Sequence, residues 1–152
     1  MIFTEAEIAY LTEHPLGRLA TIGPDGAPHV QPVAFWLNAR TATIDIGGPD
    51  LTTGQKFRNI KADPRVSLVV DDQAPTPNPI GQTGRGIELR GTVEILVLDP
   101  LLLDAFSKET LRIRPHRIIA WNIEPWRAED LTPAALRQAS HLIGYNARDV
   151  SR

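Results

Sequence analysis

Cysteine is absent from the 152-residue sequence. Its absence excludes disulfide bonds, cysteine-ligated zinc sites, iron–sulfur clusters and thiol nucleophiles. The sequence also begins without the basic and apolar segments of a signal peptide, so we expect a cytoplasmic protein. No stretch approaches the roughly 18 consecutive apolar residues that a membrane helix needs, and no membrane span is expected.

The sequence has no excess of positive charge. Its 16 Lys and Arg residues against 18 Asp and Glu residues give a net charge of −2, which provides no basic field for nucleic acid or an anionic membrane. There is no Gly-x-Ser-x-Gly elbow, Walker loop or dinucleotide-binding glycine motif, so no catalytic side chain is assigned. The four histidines lack metal-ligand spacing and predict no metal site; they are His14, His29, His116 and His141.

The first half of the chain predicts a short helix followed by strands. Thr4 and Glu7 have the spacing of a capping box and predict a helix over residues 4–13, which ends before Pro15. After Pro15 the side-chain pattern alternates with a period of two residues, which is typical of a strand. The turn Pro24-Asp25-Gly26 joins predicted strands over residues 16–23 and 27–37 into a hairpin, and a third strand is predicted over residues 41–46.

The second half alternates further strands with short helical segments. Strands are predicted over residues 66–70, 86–98 and 112–123, the last interrupted by Pro115, and a short helix over residues 53–62. Asp99-Pro100 predicts the start of a helix that ends near residue 109, and residues 132–139 predict a terminal helix. The proline-rich segment 73–83 is predicted to be a loop that forms a lid or a substrate wall.

Six predicted strands, mostly joined by hairpins, indicate a mainly β fold. A sheet of this size with two open edges invites association, and closing it into a barrel removes those edges. No internal repeat or linker is found. We therefore expect one antiparallel β-barrel domain over residues 1–152, with its core at about 8–126 and a C-terminal tail at 127–152.

One candidate binding segment lies at the start of the predicted helix 53–62. Thr53 and Gly54 lead into a first turn that carries Lys56. Free backbone N–H groups, hydroxyls, the helix dipole and an ammonium group then converge on one point, which suits a phosphate. A solvated helix end with incidental basic residues explains the same pattern, and the residues alone leave both interpretations open.

A second candidate segment is His29-Val30-Gln31-Pro32-Val33. Because proline cannot donate to a strand ladder, Pro32 indicates a sheet edge or a place where the backbone faces a ligand. Gln31 could then bond a flat heterocycle, and an irregular barrel edge is the alternative. Arg85 and Arg90 stand beside glycines and could bind phosphate or carboxylate, or pair with acidic residues across strands. Tryptophans 36, 121 and 126 could stack on a ring, or lie in the core or an interface.

Taken together, these segments resemble the pyridoxamine 5′-phosphate oxidase-like superfamily of flavin- and deazaflavin-dependent oxidoreductases. The resemblance covers roughly Ile8 to Trp126, most of the chain. The segments that carry it occur in the family's order and are 17–21 with 24–28, 31–33, 56–60 with 63–68, 86–94 and 112–118.

The resemblance implies a split β-barrel homodimer with two equivalent cofactor sites at the subunit interface. The residues implied to hold the cofactor phosphate are Thr53, Gly54, Gln55 and Lys56, with Asn59 bracing their loop. The residues implied to line the cofactor ring system are Gln31, Pro32, Val33, Ile46 and Gly47. The partner subunit would close the site through Trp121 and Arg85.

The branch that this chain resembles uses coenzyme F420, a 5-deazaflavin hydride carrier, and includes reductases of unsaturated polycyclic substrates. The chain lacks the C-terminal arginine and histidine signature of true pyridoxamine phosphate oxidases, so vitamin B6 oxidation is not expected. The implied reaction transfers a hydride to an unsaturated small molecule while the protein supplies placement and electrostatics. Solvent or His29 would supply the proton. The alternatives are an FMN-dependent oxidoreductase and a non-catalytic flavin- or deazaflavin-binding protein.

Overall fold

The computed structural model describes residues 2–127, 129, 132–134 and 145–150. In chain order its helices and strands are α1 Glu5–Glu13, β1 Leu16–Ile22, β2 Pro28–Ala34, β3 Trp36–Asn38, β4 Thr43–Ile46, a 3₁₀ turn Leu51–Thr53, α2 Gln55–Ala62, β5 Arg65–Gln73, β6 Gly84–Val97, β7 Glu109–Trp121 and β8 Asn146–Asp149. Neither α-helix in the described ranges is long and apolar enough to cross a membrane.

Helix α1 begins as its sequence predicts. The Glu7 N–H donates to Thr4 Oγ1 at 3.1 Å, and the Thr4 N–H donates to Glu7 Oε2 at 2.9 Å, which completes the capping box. The helix ends at Glu13, two residues before Pro15. Its buried side chains Tyr10 and Leu11 join the core beneath the sheet.

The strands form one curled antiparallel sheet in the order β2-β1-β5-β6-β7-β4-β3, with β8 also paired to β7. Strand β7 contacts β6 along one edge; its other edge contacts β4 near the start of the strand and β8 near its end. This half-barrel confirms the predicted split-barrel class. The described part of the chain contains eight strands rather than the six predicted.

Side-chain alternation divides this sheet into two faces. One row of paired residues is almost wholly buried and defines the inner face: Leu19, Leu68, Leu89 and Ile118. Phe57 and Ile60 of α2 pack into the same core, as do the buried residues of α1. The adjacent row points the other way and defines the outer face: Ala20, Ser67, Arg90 and Arg117.

Pro115 does not interrupt its strand. The register between β6 and β7 shifts at Arg90 and Gly91, so that Gly91 pairs with Pro115 and His116 has no direct partner. A Cβ atom on Gly91 would lie 2.2 Å from the Arg114 carbonyl oxygen, so only glycine permits this close approach of the two backbones. The bulge lets β7 continue through the proline.

The helix predicted after Asp99-Pro100 is wrong, because residues 99–108 form turns without a helix. The Phe106 ring packs where a Cβ of Gly47 would lie, 2.5 Å from its Cδ2. The Ser107 N–H and hydroxyl both donate to the Gly48 carbonyl, each at 2.9 Å. These tertiary contacts replace the bonds of a helix too short to be stable alone.

Two other predicted elements also differ in the structure. The strand predicted over residues 27–37 is divided at Phe35, whose N–H donates to the Pro15 carbonyl at 3.2 Å instead of continuing the ladder. The terminal helix predicted over residues 132–139 falls largely outside the described residues.

The loop predicted over residues 73–83 connects β5 to β6 and begins one residue later, because Gln73 ends β5. The buried Asn78 organises it, because its Oδ1 accepts from the backbone N–H groups of Gln82 at 2.9 Å and Ile80 at 3.2 Å. The loop therefore has an internal polar framework. Its role as a lid or substrate wall stays a prediction.

Candidate functional site

The N-terminus of α2 has no side-chain cap. The 3₁₀ turn Leu51–Thr53 leads to Gly54, the N-cap residue, which offers no side-chain acceptor to the first turn. The first N–H groups of an α-helix have no partner within the helix. The first turn of α2 therefore has backbone donors to offer an anion.

Lys56 lies in this first turn and is partly buried. It has no hydrogen bond or ion pair to any other residue that the structure describes. A cavity beside it is lined by α2, β1 and β2, through Leu19, Thr21, His29, Gln31, Gln55 and Lys56. Its volume of about 20 Å³ has room for little more than one water, so a larger ligand group would lie at its mouth.

Asn59 connects the three elements behind this cavity. Its side chain is 2% exposed. Its Oδ1 accepts from Gln55 Nε2 at 2.8 Å, and its Nδ2 contacts Thr21 Oγ1 at 2.9 Å and His29 Nδ1 at 3.0 Å. The amide therefore braces α2 against β1 and β2 and turns its bonds inward.

Strand β2 is the edge of the sheet, as Pro32 predicts. Gln31 pairs with Leu19 of the inner face, is exposed, and lines the cavity beside Lys56. Pro32 is exposed on the outer face, and Val33 is buried in the core. Gln31 and Val33 thus share the inner face and Pro32 lies on the outer face, and of these three residues only Gln31 lines the cavity.

Ile46 and Gly47 lie apart from this cavity, whose lining comes wholly from β1, β2 and α2. The Ile46 side chain is fully buried in the core, so only its backbone is available to a ligand. Gly47 lies under the ring of Phe106. Their predicted place beside the cofactor ring stays a prediction.

Arg85 and Trp121 lie near each other along the sheet but on opposite faces. Arg85 is on the inner face, where its guanidinium donates to both carboxylate oxygens of Asp72 at 2.7 and 3.0 Å. The Tyr10 hydroxyl donates to the same carboxylate at 2.8 Å. Hydrogen bonding from Arg85 lowers the pKa of Asp72 to about 2. Trp121 pairs with Gly86 on the outer face. Their role in a partner's site stays a prediction.

Thr21 is a site residue that the sequence reasoning missed. It is 3% exposed, lines the cavity and contacts Asn59. A signal existed, because Thr21 is a hydroxyl residue on the otherwise apolar face of β1. The position of His29 directly across the hairpin from Thr21 follows from the predicted turn.

The outer face carries a larger groove of about 510 Å³. Its lining includes Ala20, Ile22, Pro28, Arg65, Ser67 and Arg90. Neither α-helix covers it, because both pack into the core on the inner face. Val30, which pairs with Ala20 on this face, is 61% exposed. Apolar side chains of the outer face at the edge of the sheet are thus exposed to solvent.

Comparison with known proteins identifies the family of this fold. The family model described as pyridoxamine 5′-phosphate oxidase matches residues 3–129. A curated relative, the 5a,11a-dehydrotetracycline/5a,11a-dehydrooxytetracycline reductase of Streptomyces rimosus, is 40% identical over 129 residues, which cover 82% of this chain and 86% of the relative.

Solved structures agree with this assignment. A structure described as an F420 reductase is 27% identical with a TM-score of 0.57, and the match covers 76% of this chain and 98% of that one. The conserved hypothetical protein Rv2991 of Mycobacterium tuberculosis shares the fold at 24% identity and a TM-score of 0.63, over 83% and 91% of the two chains. The resemblance seen in the sequence is thereby confirmed, and the chain belongs to the pyridoxamine 5′-phosphate oxidase family of oxidoreductases.

Proposed function

We propose that this protein is a reductase that uses the deazaflavin coenzyme F420 to transfer a hydride to an unsaturated small molecule. The observation that carries the proposal is the ammonium group of Lys56, which lies in the uncapped first turn of α2 and has no partner among the described residues. The 40% identical relative is named as a reductase, and a 27% identical structure is described as an F420 reductase. The first supports this class of reaction, and the second supports this cofactor.

The residues at the start of α2 fit a phosphate. Backbone N–H donors, the positive end of the helix dipole and one ammonium group all belong to the first turn of α2. Gln55 adds one N–H, because its other N–H donates to Asn59 and its Oε1 accepts from Arg58 at 2.8 Å. Thr53 adds little by its hydroxyl, which donates to the Asp50 carbonyl at 2.9 Å.

The edge strand would hold the ring system of the cofactor. Gln31 can present its amide to a flat heterocycle from the free edge of the sheet, one residue from the backbone of Pro32. Bound in reduced form, the coenzyme would supply a hydride to an electron-poor carbon–carbon double bond, and a proton would complete the two-electron reduction. The protein's own contribution is to hold the two reactants in register and to exclude water.

A second copy of the chain is the partner that we propose for the outer face. Two observations support it: the open apolar groove and the exposed Val30 and Leu16, which are 61% and 52% accessible. The face also carries both signs of charge, including Arg18, Asp71 and Glu88, which suits self-complementary pairing about a two-fold axis. Trp121 lies on this face and would reach the partner's site.

Turnover with a defined acceptor tests the proposal. Purified protein is mixed with reduced F420 and 5a,11a-dehydrotetracycline, the compound in the relative's name, and oxidation of the cofactor is followed by its absorbance. The proposal predicts enzyme-dependent oxidation and a product two hydrogens richer. Turnover with reduced FMN but not with reduced F420 would instead support the FMN-dependent alternative. Tight binding of F420 without turnover of any enone or imine acceptor would support a non-catalytic binding protein.

A further inference from the structure

A directional chain of hydrogen bonds runs from Arg58 to His29 behind the candidate phosphate site. Arg58 Nη2 donates to Gln55 Oε1 at 2.8 Å. Gln55 Nε2 then donates to Asn59 Oδ1 at 2.8 Å. Asn59 Nδ2 lies 3.0 Å from His29 Nδ1. Four side chains from α2 and β2 thus form one continuous relay.

The donor at the start of the relay fixes the direction of every bond in it. A guanidinium can only donate, so the Gln55 atom that faces Arg58 must be its carbonyl oxygen. The amide nitrogen of Gln55 then faces Asn59 and requires an oxygen there. Asn59 must therefore turn its N–H groups towards Thr21 and His29. An N–H that faces His29 Nδ1 requires that this ring nitrogen carry no proton.

Burial prevents the relay from reversing. Asn59 is 2% exposed and Thr21 is 3% exposed, so water cannot compensate a flipped amide. Arg58 is itself fixed, because its Nη1 donates to the Thr53 carbonyl at 2.8 Å. Reversal would place the Gln55 amide nitrogen against the Arg58 guanidinium, and two hydrogen-bond donors would then face each other.

We propose that Arg58, Gln55 and Asn59 are positioning residues that hold His29 as a neutral ring protonated at Nε2 only. His29 is then a hydrogen-bond donor to the bound cofactor rather than the acid that protonates the product. A histidine acts as a general acid from its doubly protonated form. In that form the proton on His29 Nδ1 would face an N–H of the Asn59 amide, so that two donors would meet. This function of His29 rests on the proposed cofactor site, whereas the proton position does not.

Lys56 is the charged side chain that lines the cavity beside His29. The uncharged Thr21 of β1 and Gly23, which follows the end of that strand, face the ring; a Cβ on Gly23 would lie 2.5 Å from His29 Nε2. Gln31 follows on β2 and is also uncharged.

Nitrogen-15 NMR of the full-length protein tests the proton position. The proposal predicts that His29 of the wild type gives the signature of a single Nε2–H tautomer, with and without F420. Arg58→Met should produce a mixture of tautomers or a protonated ring, because either amide orientation then becomes available. Arg58→Lys keeps a donor-only group and should restore the single tautomer. Lys61→Met removes the same charge from α2 outside the relay and should leave His29 unchanged.

The effect on binding is measured by calorimetric titration with F420 in two buffers of different ionisation enthalpy. Wild-type His29 should take up no proton on binding. His29→Ala should weaken F420 binding about tenfold and leave the pH profile of turnover unchanged. An Nδ1–H or doubly protonated His29 in the wild type, or an unchanged tautomer in Arg58→Met, would overturn the relay. A correct tautomer without F420 binding would leave the relay standing and contradict the proposed cofactor.

Discussion

The guanidinium of Arg148 donates to both carboxylate oxygens of Glu7, at 2.6 and 2.9 Å. Glu7 lies in α1 and is fully buried, and Arg148 lies in β8, 141 residues further along the chain. The same guanidinium donates to the Ile2 carbonyl at 2.6 Å. One ion pair therefore fastens the last strand to the first helix.

Arg148→Met should lower the free energy of unfolding by about 3 kcal/mol, because it leaves the Glu7 carboxylate buried without its counter-ion. Chemical denaturation measures this change. Arg117→Met is the control, since Arg117 pairs with Asp149, which is 74% exposed, and its loss should cost less than about 1 kcal/mol. Equal losses in the two variants would contradict the account of this ion pair.

Gly86→Ala should displace Trp121 and destabilise the sheet by about 2 kcal/mol. A Cβ at position 86 would lie 2.5 Å from Trp121 Cζ2 and 2.8 Å from the Val70 carbonyl oxygen. Urea denaturation and tryptophan fluorescence report the two effects. Gly84→Ala adds the same methyl group on the same strand where no atom lies within 4 Å, and should change neither. A Gly86→Ala protein as stable as Gly84→Ala would refute the close contact.

Stability should fall as the pH falls from about 4 to 2, in part through Asp72. Hydrogen bonding from Arg85 lowers the pKa of this carboxyl to about 2 in the folded protein. Below pH 4 the unfolded chain therefore binds a proton that the folded chain does not, which favours unfolding. Asp72→Asn should flatten this part of the stability–pH curve by about 1 to 2 kcal/mol.

The matched control for this pH experiment is Asp71→Asn. Its carboxylate lies 3.5 Å from Arg18, and both side chains are about half exposed. It should keep the acid dependence of the wild type. An Asp72→Asn protein with an unchanged slope between pH 4 and 2 would show that the Asp72–Arg85 pair does not link protonation to folding.

Val30→Asp should dissociate the proposed homodimer. Val30 is 61% exposed on the outer face, where a second copy would cover it. Light scattering of the wild type should give twice the 16.8 kDa mass of one chain, and the variant should give the mass of one chain. Val97→Asp, at a residue 62% exposed but on the inner-face side of β6, should leave the dimer intact. A monomeric wild type would rule out the proposed partner.

Local patterns predicted those features that depend on neighbouring residues. The Pro24-Asp25-Gly26 turn predicts the β1–β2 hairpin, and Pro32 predicts its place at a sheet edge. The start of α2 and its Lys56 were also located correctly along the chain. In each case a turn or a cap within a few residues determines the structure.

Features that depend on distant partners could not be predicted in this way. Strand β8, with the sequence Asn-Ala-Arg-Asp, has no apolar alternation and exists through its pairing with β7 and the bond from Arg148 to Glu7. The turns after Asp99-Pro100 exist because Phe106 fits over Gly47. The Arg58–His29 relay needs the close approach of α2 to β2, which no spacing within either segment specifies.

The proposed function depends on the binding of a deazaflavin phosphate by Lys56 and the first turn of α2. Equilibrium titration of the wild type with F420 and with FMN, followed by fluorescence, tests it most directly when repeated with Lys56→Ala and Lys61→Ala. We expect F420 binding at micromolar concentration or tighter, weaker FMN binding, and at least a tenfold loss of F420 affinity, about 1.4 kcal/mol, in Lys56→Ala alone. Unchanged affinity in Lys56→Ala, or a preference for FMN, would contradict it.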